Sequence, residues 1–176
     1  MKIMKKLFLI AFAVLFAGTA FSQKQKFGYV DTEYILGKMP EYRSAQKQLD
    51  ELSKDWQTQV DKKYADLDAK FKEFKAEEPL LTKDQRKERE QTIVNMETEA
   101  KRFENEKFGP EGELFKKRQE LIKPIQDKVF KAIQSVAKDG AYDFVFDIAG
   151  NMVVLITDPK YDLSDNVLEL LGVTTN

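Results

Sequence analysis

The sequence predicts an α+β chain, mostly α, in which a long antiparallel helical hairpin arm projects from a small β-sheet body that oligomerises. Three observations predict it. Apolar residues recur at steps of three and four from Tyr42 to Phe74, and again from Ile93 to Val136. The two stretches are parted by Pro79-Leu80-Leu81 and a helix-start signal, so the second helix should fold back along the first. Short segments of strand character stand at both ends of the chain, outside the helical stretches.

Residues 1–22 read as a secretory signal peptide. Lys2, Lys5 and Lys6 make a positive start, Leu7 to Phe16 is an apolar run of about ten residues, and Ala20 and Ser22 put small side chains at the positions needed for cleavage before Gln23. Cleavage after Ala20 is the alternative. The run is short of the roughly 20 apolar residues that a membrane-spanning helix requires. Residues 23–176 then form a single chain, with a body built from 26–40 and 125–176, an arm from 41–124, and a tip near 79–82. Cleavage removes three lysines and no acid, which takes the net charge from −1 to −4. That balance argues against nucleic acid as a partner, since duplex binders carry a basic excess.

Lys26 to Asp31 reads as a strand. Thr32 is the expected cap of a short helix, Glu33 to Lys38, with Gly37 and Pro40 breaking or bending the chain after it. The arm follows, with apolar positions at Tyr42, Ala45, Leu49, Leu52, Trp56, Val60, Tyr64, Leu67, Phe71 and Phe74. This is a heptad seam with one eleven-residue insert around Trp56, where a left-handed supercoil should relax. Thr82 and Gln85 match a capping box. The return helix carries Ile93, Met96, Ala100 and Phe103, should bend at Gly109, Pro110 and Gly112, and resumes its seam at Phe115, Ile122, Ile125, Val129, Ala132 and Val136. Pro124 is a second expected bend, and Gly140 the expected stop. Tyr142 to Asp147, a turn at Ala149-Gly150-Asn151, and Met152 to Ile156 read as a β-hairpin. Ser164 or Asp165 should cap a last helix, Asn166 to Leu171, stopped by Gly172.

The composition disfavours catalysis and cofactors. There is no histidine and no cysteine, so the commonest general base, the commonest zinc ligands and any disulfide are missing. The four serines after residue 22 (Ser44, Ser53, Ser135, Ser164) stand in no glycine-bracketed elbow, and no phosphate-cradling or calcium loop occurs. Asp66 and Asp68 point to different sides of a helix. Glu77-Glu78 fits a solvated tip, and Asp143 and Asp147 fit strand-edge or capping roles. The chain reads as a non-enzyme without cofactor or metal. Lys83, Arg86, Lys87 and Arg89 near the tip, and Lys116, Lys117 and Arg118 on the return helix, have acids one turn away: Asp84, Glu88 and Glu90 for the first group, Glu113 and Glu120 for the second. An ion-paired face is favoured, and the sharper alternative is weak contact with anionic lipid headgroups or acidic client segments.

Two groups of apolar residues remain as functional candidates. On the arms, Trp56, Tyr64, Phe71, Phe74, Met96, Phe103 and Phe108 are candidate contacts for client chains, with Phe115 in the same stripe. Most should zip the helices together, but aromatics are unusual in a tight two-helix seam, and those left exposed suit weak contact with many partners. In the body, Tyr29, Val30, Val129, Val136, Phe144, Phe146, Val153 and Leu155 are candidates for the core or for a subunit interface, because a sheet of three short strands is marginal alone.

These residues resemble the Skp/OmpH family. The resemblance rests on Gly28-Tyr29-Val30-Asp31 before a capped helix, on the charged heptad hairpin between strand regions, and on Ala132 to Lys138 leading into Tyr142 to Asp147. Tyr161-Asp162-Leu163-Ser164 followed by Val167-Leu168 is similar to the family's C-terminal end, and the bends at Gly109-Pro110 and Pro124 look like those of its Bacteroidetes-type branch. The resemblance covers essentially the whole chain after residue 22. It implies a jellyfish-shaped homotrimer in the periplasm, whose arms enclose unfolded outer-membrane proteins without ATP and act as a holdase chaperone. A structural coiled-coil adaptor of the envelope, lacking a client cavity, is the competing reading. The best-known members are strongly basic and this chain is slightly acidic once cleaved, so no lipopolysaccharide-binding residues are carried over.

The surplus of apolar residues in the body generates the first prediction. The cleaved protein should be an oligomer, a trimer, at micromolar concentration. Light scattering that returned the mass of one chain would overturn it.

Overall fold

The structure is a computed structural model that describes residues 25–150 and 158–174. Strand β1 (Phe27–Val30) leads into helix α1 (Thr32–Lys38). Asp31, rather than Thr32, caps α1: its carboxylate accepts the Tyr34 N–H at 2.9 Å. Thr32 instead donates its backbone N–H and its hydroxyl to Asp147 at 3.1 and 2.7 Å, tying the start of α1 to the end of the second strand. Gly37 lies within α1. Pro40 begins the next helix, α2 (Pro40–Glu77, 38 residues), at a position where a missing N–H costs nothing. At about 1.5 Å per residue α2 is roughly 57 Å long.

A 3₁₀ turn, Glu78–Leu80, reverses the chain, and α3 (Lys83–Phe108) starts with the complete Thr82/Gln85 capping box. The return path is two helices, since α4 (Glu113–Asp139) begins only after a four-residue break. Pro124 lies inside α4, and the helix continues through it. Strand β2 (Phe144–Asp147), a 3₁₀ turn at Pro159–Tyr161 and α5 (Ser164–Leu170) follow.

Strands β1 and β2 pair in parallel, with Phe27 opposite Phe144 and Val30 opposite Asp147. Parallel neighbours need a long crossover, and here the whole arm is that crossover. An isolated bridge joins Tyr29 to Asp162 on the other edge of β1. Among the described residues the sheet has two strands. Met152 to Ile156, expected as a further strand and containing Val153 and Leu155, lies outside the described residues.

The body core forms where α1, α4 and α5 meet the sheet: Val30, Ile35, Leu36, Met39, Val129, Ala132, Leu163, Val167 and Leu168 are all buried. Ile35, Met39, Val167 and Leu168 lose all contact with solvent, and full burial of such a side chain is worth roughly 1.5–3 kcal/mol. Ser164 is not the cap expected from its position. Its buried hydroxyl accepts the Asp31 N–H at 2.9 Å, while the Asp162 carboxylate accepts the Ser164 N–H.

The end of α4 departs from expectation by one residue. Gly140 has φ −82°, and the left-handed conformation falls on Ala141, at φ 50°. The Ala141 N–H bonds Lys138 O at 3.1 Å and the Tyr142 N–H bonds Ala137 O at 2.9 Å, the pair that defines a Schellman cap. Glycine is required at 140 for space: a Cβ there would stand 2.5 Å from the Tyr142 ring. Ala141 therefore carries a left-handed backbone without glycine's freedom. Ala141→Gly should stabilise the protein by about 0.5–1 kcal/mol, because relief of strain outweighs the added freedom of the unfolded chain. A lowered thermal midpoint in calorimetry would refute this account of the cap.

Candidate functional site

The arm is zipped by the seam expected along α2, except at Phe71, which stands exposed. Ala45, Leu49, Val60 and Phe74 are buried, and Tyr42, Leu52, Trp56, Tyr64 and Leu67 are partly buried. On the return side Ala100 is buried, with Ile93, Met96 and Phe103 partly so. Below the break, Ala45, Leu49 and Ile122 form a second buried cluster, flanked by Leu114 and Leu121. Phe115, expected in that seam, is 48% exposed. The four-residue interruption shifts the phase of α4, so Leu114 takes the inward position.

Charged side chains link the two sides of the arm. Lys63 meets Glu99 at 2.7 Å, the Tyr64 hydroxyl donates to Glu104 at 2.8 Å, and Lys128 meets Glu41 at 2.8 Å. At the tip, Arg89 lies 3.5 Å from both Glu73 and Glu77, and Arg86 donates to Glu78 O at 3.2 Å. The two tip arginines thus find their acids across the hairpin instead of one turn along their own helix. Glu77 and Glu78 are held by those arginines and by Lys75 at 3.1 Å, so they are not merely solvated. Each exposed pair is worth little alone, but together they favour one pairing of the two sides.

The sequence-predicted client contacts divide by placement. Phe74 is only 6% exposed and belongs to the seam, which removes it from any accessible surface of the arm. Trp56, Tyr64, Met96, Phe103 and Phe108 are partly covered, with Trp56 edge-on to Phe108 at 6.4 Å between ring centroids. Phe71 is 46% exposed. Three exposed apolar side chains were absent from that set: Leu80 at the tip, 85% exposed, Val94 on α3 and Phe130 on α4. The signal for Val94 is its place beside Ile93, off the three-four spacing, where a helix must turn it outward.

In the body, Val30 and Val129 are buried and Tyr29 and Val136 partly so. Phe144 and Phe146 are exposed and stack with Phe27 on one face of the sheet, at 5.5 and 6.3 Å between centroids. Asp143 accepts the Lys26 N–H at 2.7 Å and Asp147 accepts from Thr32 and Ala149, which places both in strand-end hydrogen bonding. Among the described residues no helix is long and apolar enough to cross a membrane, and no acidic cluster is arranged to hold a metal ion.

Residues 26–171 match the family described as outer membrane protein (OmpH-like). The chain belongs to the OmpH-like family. It is 27% identical over 157 residues to the chaperone protein Skp of Yersinia enterocolitica, covering 87% of this chain and 90% of that one. An uncharacterized protein of Aquifex aeolicus is 30% identical over 169 residues, covering 96% and 97%. The crystal structure of an OmpH-like protein from Caulobacter crescentus, described as an outer membrane chaperone, superposes with a TM-score of 0.66 over 88% of each chain at 15% identity. The OmpH-like fold is thus shared across low sequence identity, as expected when a periodic seam and a small core specify it.

The cross-arm pairs make the stability of this OmpH-like arm sensitive to acid. Lys63 holds the Glu99 carboxyl below its ordinary value of 4.5 and Lys128 does the same for Glu41, while Glu73 is lowered mainly by Lys70 on its own helix, with Arg89 across the hairpin adding to it. A carboxyl that titrates lower in the folded state confers stability above its unfolded value, and that stability is lost as pH falls through the folded one. The thermal midpoint should hold steady from neutral pH to about pH 5 and fall below it. Glu99→Gln should show a shallower fall. Superimposable profiles for parent and variant would mean that the Lys63–Glu99 pair does not stabilise the arm.

Proposed function

We propose that this protein is an ATP-independent periplasmic holdase chaperone that binds unfolded outer-membrane proteins and keeps them from aggregating on their way to the outer membrane. The observation that carries the reading is the exposure of Phe71, Leu80, Val94 and Phe115 along an arm otherwise covered by charge. Isolated apolar side chains on a long charged support make weak, additive contacts with unrelated chains and none that dominates. Membership of the OmpH-like family and similarity to a Skp chaperone support it. The signal-peptide reading of residues 1–22 supports export to the periplasm, where a holdase works without nucleotide.

The working form is a homotrimer assembled through the body. Phe27, Phe144 and Phe146 stack in the open on a sheet too small to be stable by itself, and burial against a second copy would remove that apolar face from water. Lys83 and Lys87 make no ion pair among the described residues and supply weak attraction for anionic lipid headgroups at the tip.

The test is suppression of aggregation of a chemically unfolded barrel protein on dilution. A variant with Phe71, Leu80, Val94 and Phe115 all changed to Ser should keep its helical content and oligomer mass, because all four stand exposed, Phe71 and Phe115 included although their spacing matches the seam. The concentration needed for half protection should rise roughly tenfold, equivalent to about 1.4 kcal/mol of lost contact. If the folded variant protects as well as the parent, the arms are not the client surface, and a structural coiled-coil adaptor replaces the holdase.

A further inference from the structure

The break between α3 and α4 is the least regular part of the arm, and one side chain ties it together. The seam of α3 runs Ile93, Met96, Ala100, Phe103, and the next step of four falls on Lys107. A lysine thus occupies a position where the spacing calls for an apolar residue. Its side chain is only 16% exposed. The ammonium nitrogen lies 5.0 Å from the centre of the Trp56 ring, 5.4 Å from that of Phe103, and 2.8 Å from the Glu113 carboxylate. Its partners come from three segments: α2 supplies Trp56, α3 supplies Phe103, and the first residue of α4 supplies Glu113. Among the described residues Lys107–Glu113 is the one ion pair that links α3 to α4.

The location has a reason in the pattern of α2. Leu52, Trp56, Val60 and Tyr64 follow one another at steps of four, so the seam of α2 drifts around its helix at this level. The return side answers with a break, since Trp56 faces Phe108, the last residue of α3. The chain then makes a turn, Gly109-Pro110-Glu111-Gly112, closed by the Gly112 N–H on Gly109 O at 2.9 Å. A Cβ at Gly109 would lie 2.4 Å from Asn105 O, and one at Gly112 would lie 2.8 Å from Lys107 O. The turn is therefore compact, and its glycines are there for close approach of backbone. Alanine at Gly109 or Gly112 would force the turn apart.

We propose that Lys107 is a latch: held by Trp56, Phe103 and Glu113, it fixes a single geometry of the α3–α4 joint and with it the bend of the arm. An apolar side chain at 107 would pack on Trp56 whatever the orientation of α4. The ammonium group adds a direction, because Glu113 lies in the first turn of α4 and the cation satisfies it in one orientation only. A largely covered charged residue at a seam position costs stability, and in helical seams such a residue can specify one register. At this level α2 is the one helix among the described residues that runs through the arm unbroken, so a loosened joint leaves α4 free to change its angle to the distal arm.

The sequence has no cysteine, so spin labels are placed at will. The pair Val94→Cys and Gln119→Cys, both exposed, spans the joint, with labelled chains diluted into unlabelled protein. Electron–electron double resonance on the full cleaved protein should give one narrow distance. Lys107→Met keeps the unbranched length and removes the charge; it should broaden or split the distribution and shift the emission of Trp56, the single tryptophan. Glu113→Gln, on the exposed side of the pair, should broaden it as well. The double variant should be no broader than either single one, and Lys107→Arg should restore the narrow distance. Circular dichroism controls for folding, and should Lys107→Met lose helix, Glu113→Gln alone decides. A distance that stays single and narrow in a folded Lys107→Met or Glu113→Gln overturns the latch. The measurement reads arm geometry and not protection of a client, so its failure leaves the chaperone reading where it stands.

Discussion

Parallel pairing of β1 with β2 is the constraint on which the rest of the structure depends. Two parallel strands demand that the chain leave the sheet at the Val30 end of β1 and re-enter at the opposite end, where Phe144 lies beside Phe27. Everything between residues 31 and 143 is that excursion, and closing a flexible loop of about 110 residues costs on the order of 4 kcal/mol. The helices lower that cost by being stiff, because a hairpin whose two sides are zipped returns its second base to its first. The body core then joins the bases, with Ile35, Leu36 and Met39 from one end meeting Val129 and Ala132 from the far end of α4 and Leu163, Val167 and Leu168 from beyond it. Arm and body are thus mutually dependent: the seam brings β2 to β1, and the core keeps the foot of the seam from fraying.

The energetics of the arm follow from how little of it is apolar inside. Its buried side chains are few among the described residues (Ala45, Leu49, Val60, Phe74, Ala100 and Ile122), and two of them are alanines. The many ion pairs around them are exposed and contribute little individually. What they supply is selectivity, since Lys63–Glu99, Tyr64–Glu104 and the arginine pairs at the tip are all satisfied in one pairing of the helices. The arm is accordingly specified by many weak contacts spread along its length. The same economy leaves Phe71, Leu80 and Val94 at the surface, outside that small buried set.

Much of this was legible in the sequence because it is periodic or local. The α2 seam, the Thr82/Gln85 box and the strand character at both chain ends are patterns that a few neighbouring residues dictate. What escaped depends on distant partners. Thr32 is as good a cap as Asp31 by type; only Asp147, brought alongside by the parallel sheet, decides that Thr32 bonds elsewhere. Ser164 is drawn inward by the N–H of Asp31, which no local pattern announces. Gly140 looked like the left-handed stop because glycine usually is, yet the Tyr142 ring packed over it claims the missing Cβ and passes the strained conformation to Ala141. The inward turn of Leu114 in place of Phe115 depends on how far a four-residue turn rotates a helix, which spacing alone does not reveal.

The relation between Trp56 and the broken return helix joins these strands of argument. A hairpin can absorb a phase slip in one helix in two ways, by letting its apolar side chains wander out of the seam or by resetting the partner. Steps of four over Leu52, Trp56, Val60 and Tyr64 would carry the apolar line of α2 away from a continuous return helix. The chain resets the partner at Gly109 to Gly112, and all four α2 residues stay at least partly covered. A reset has its own cost, because it exposes two helix ends in the middle of the arm. The Gly109 N–H on Asn105 O and the Lys116 N–H on Gly112 O continue the backbone bonding on either side of the turn. Glu113 sets a negative charge in the first turn of α4 and Lys107 a positive one in the last turn of α3, each at the end its helix dipole favours. The ion pair between them is therefore aligned with both dipoles at once, which is why a lysine is tolerated at a seam position that would otherwise take a leucine.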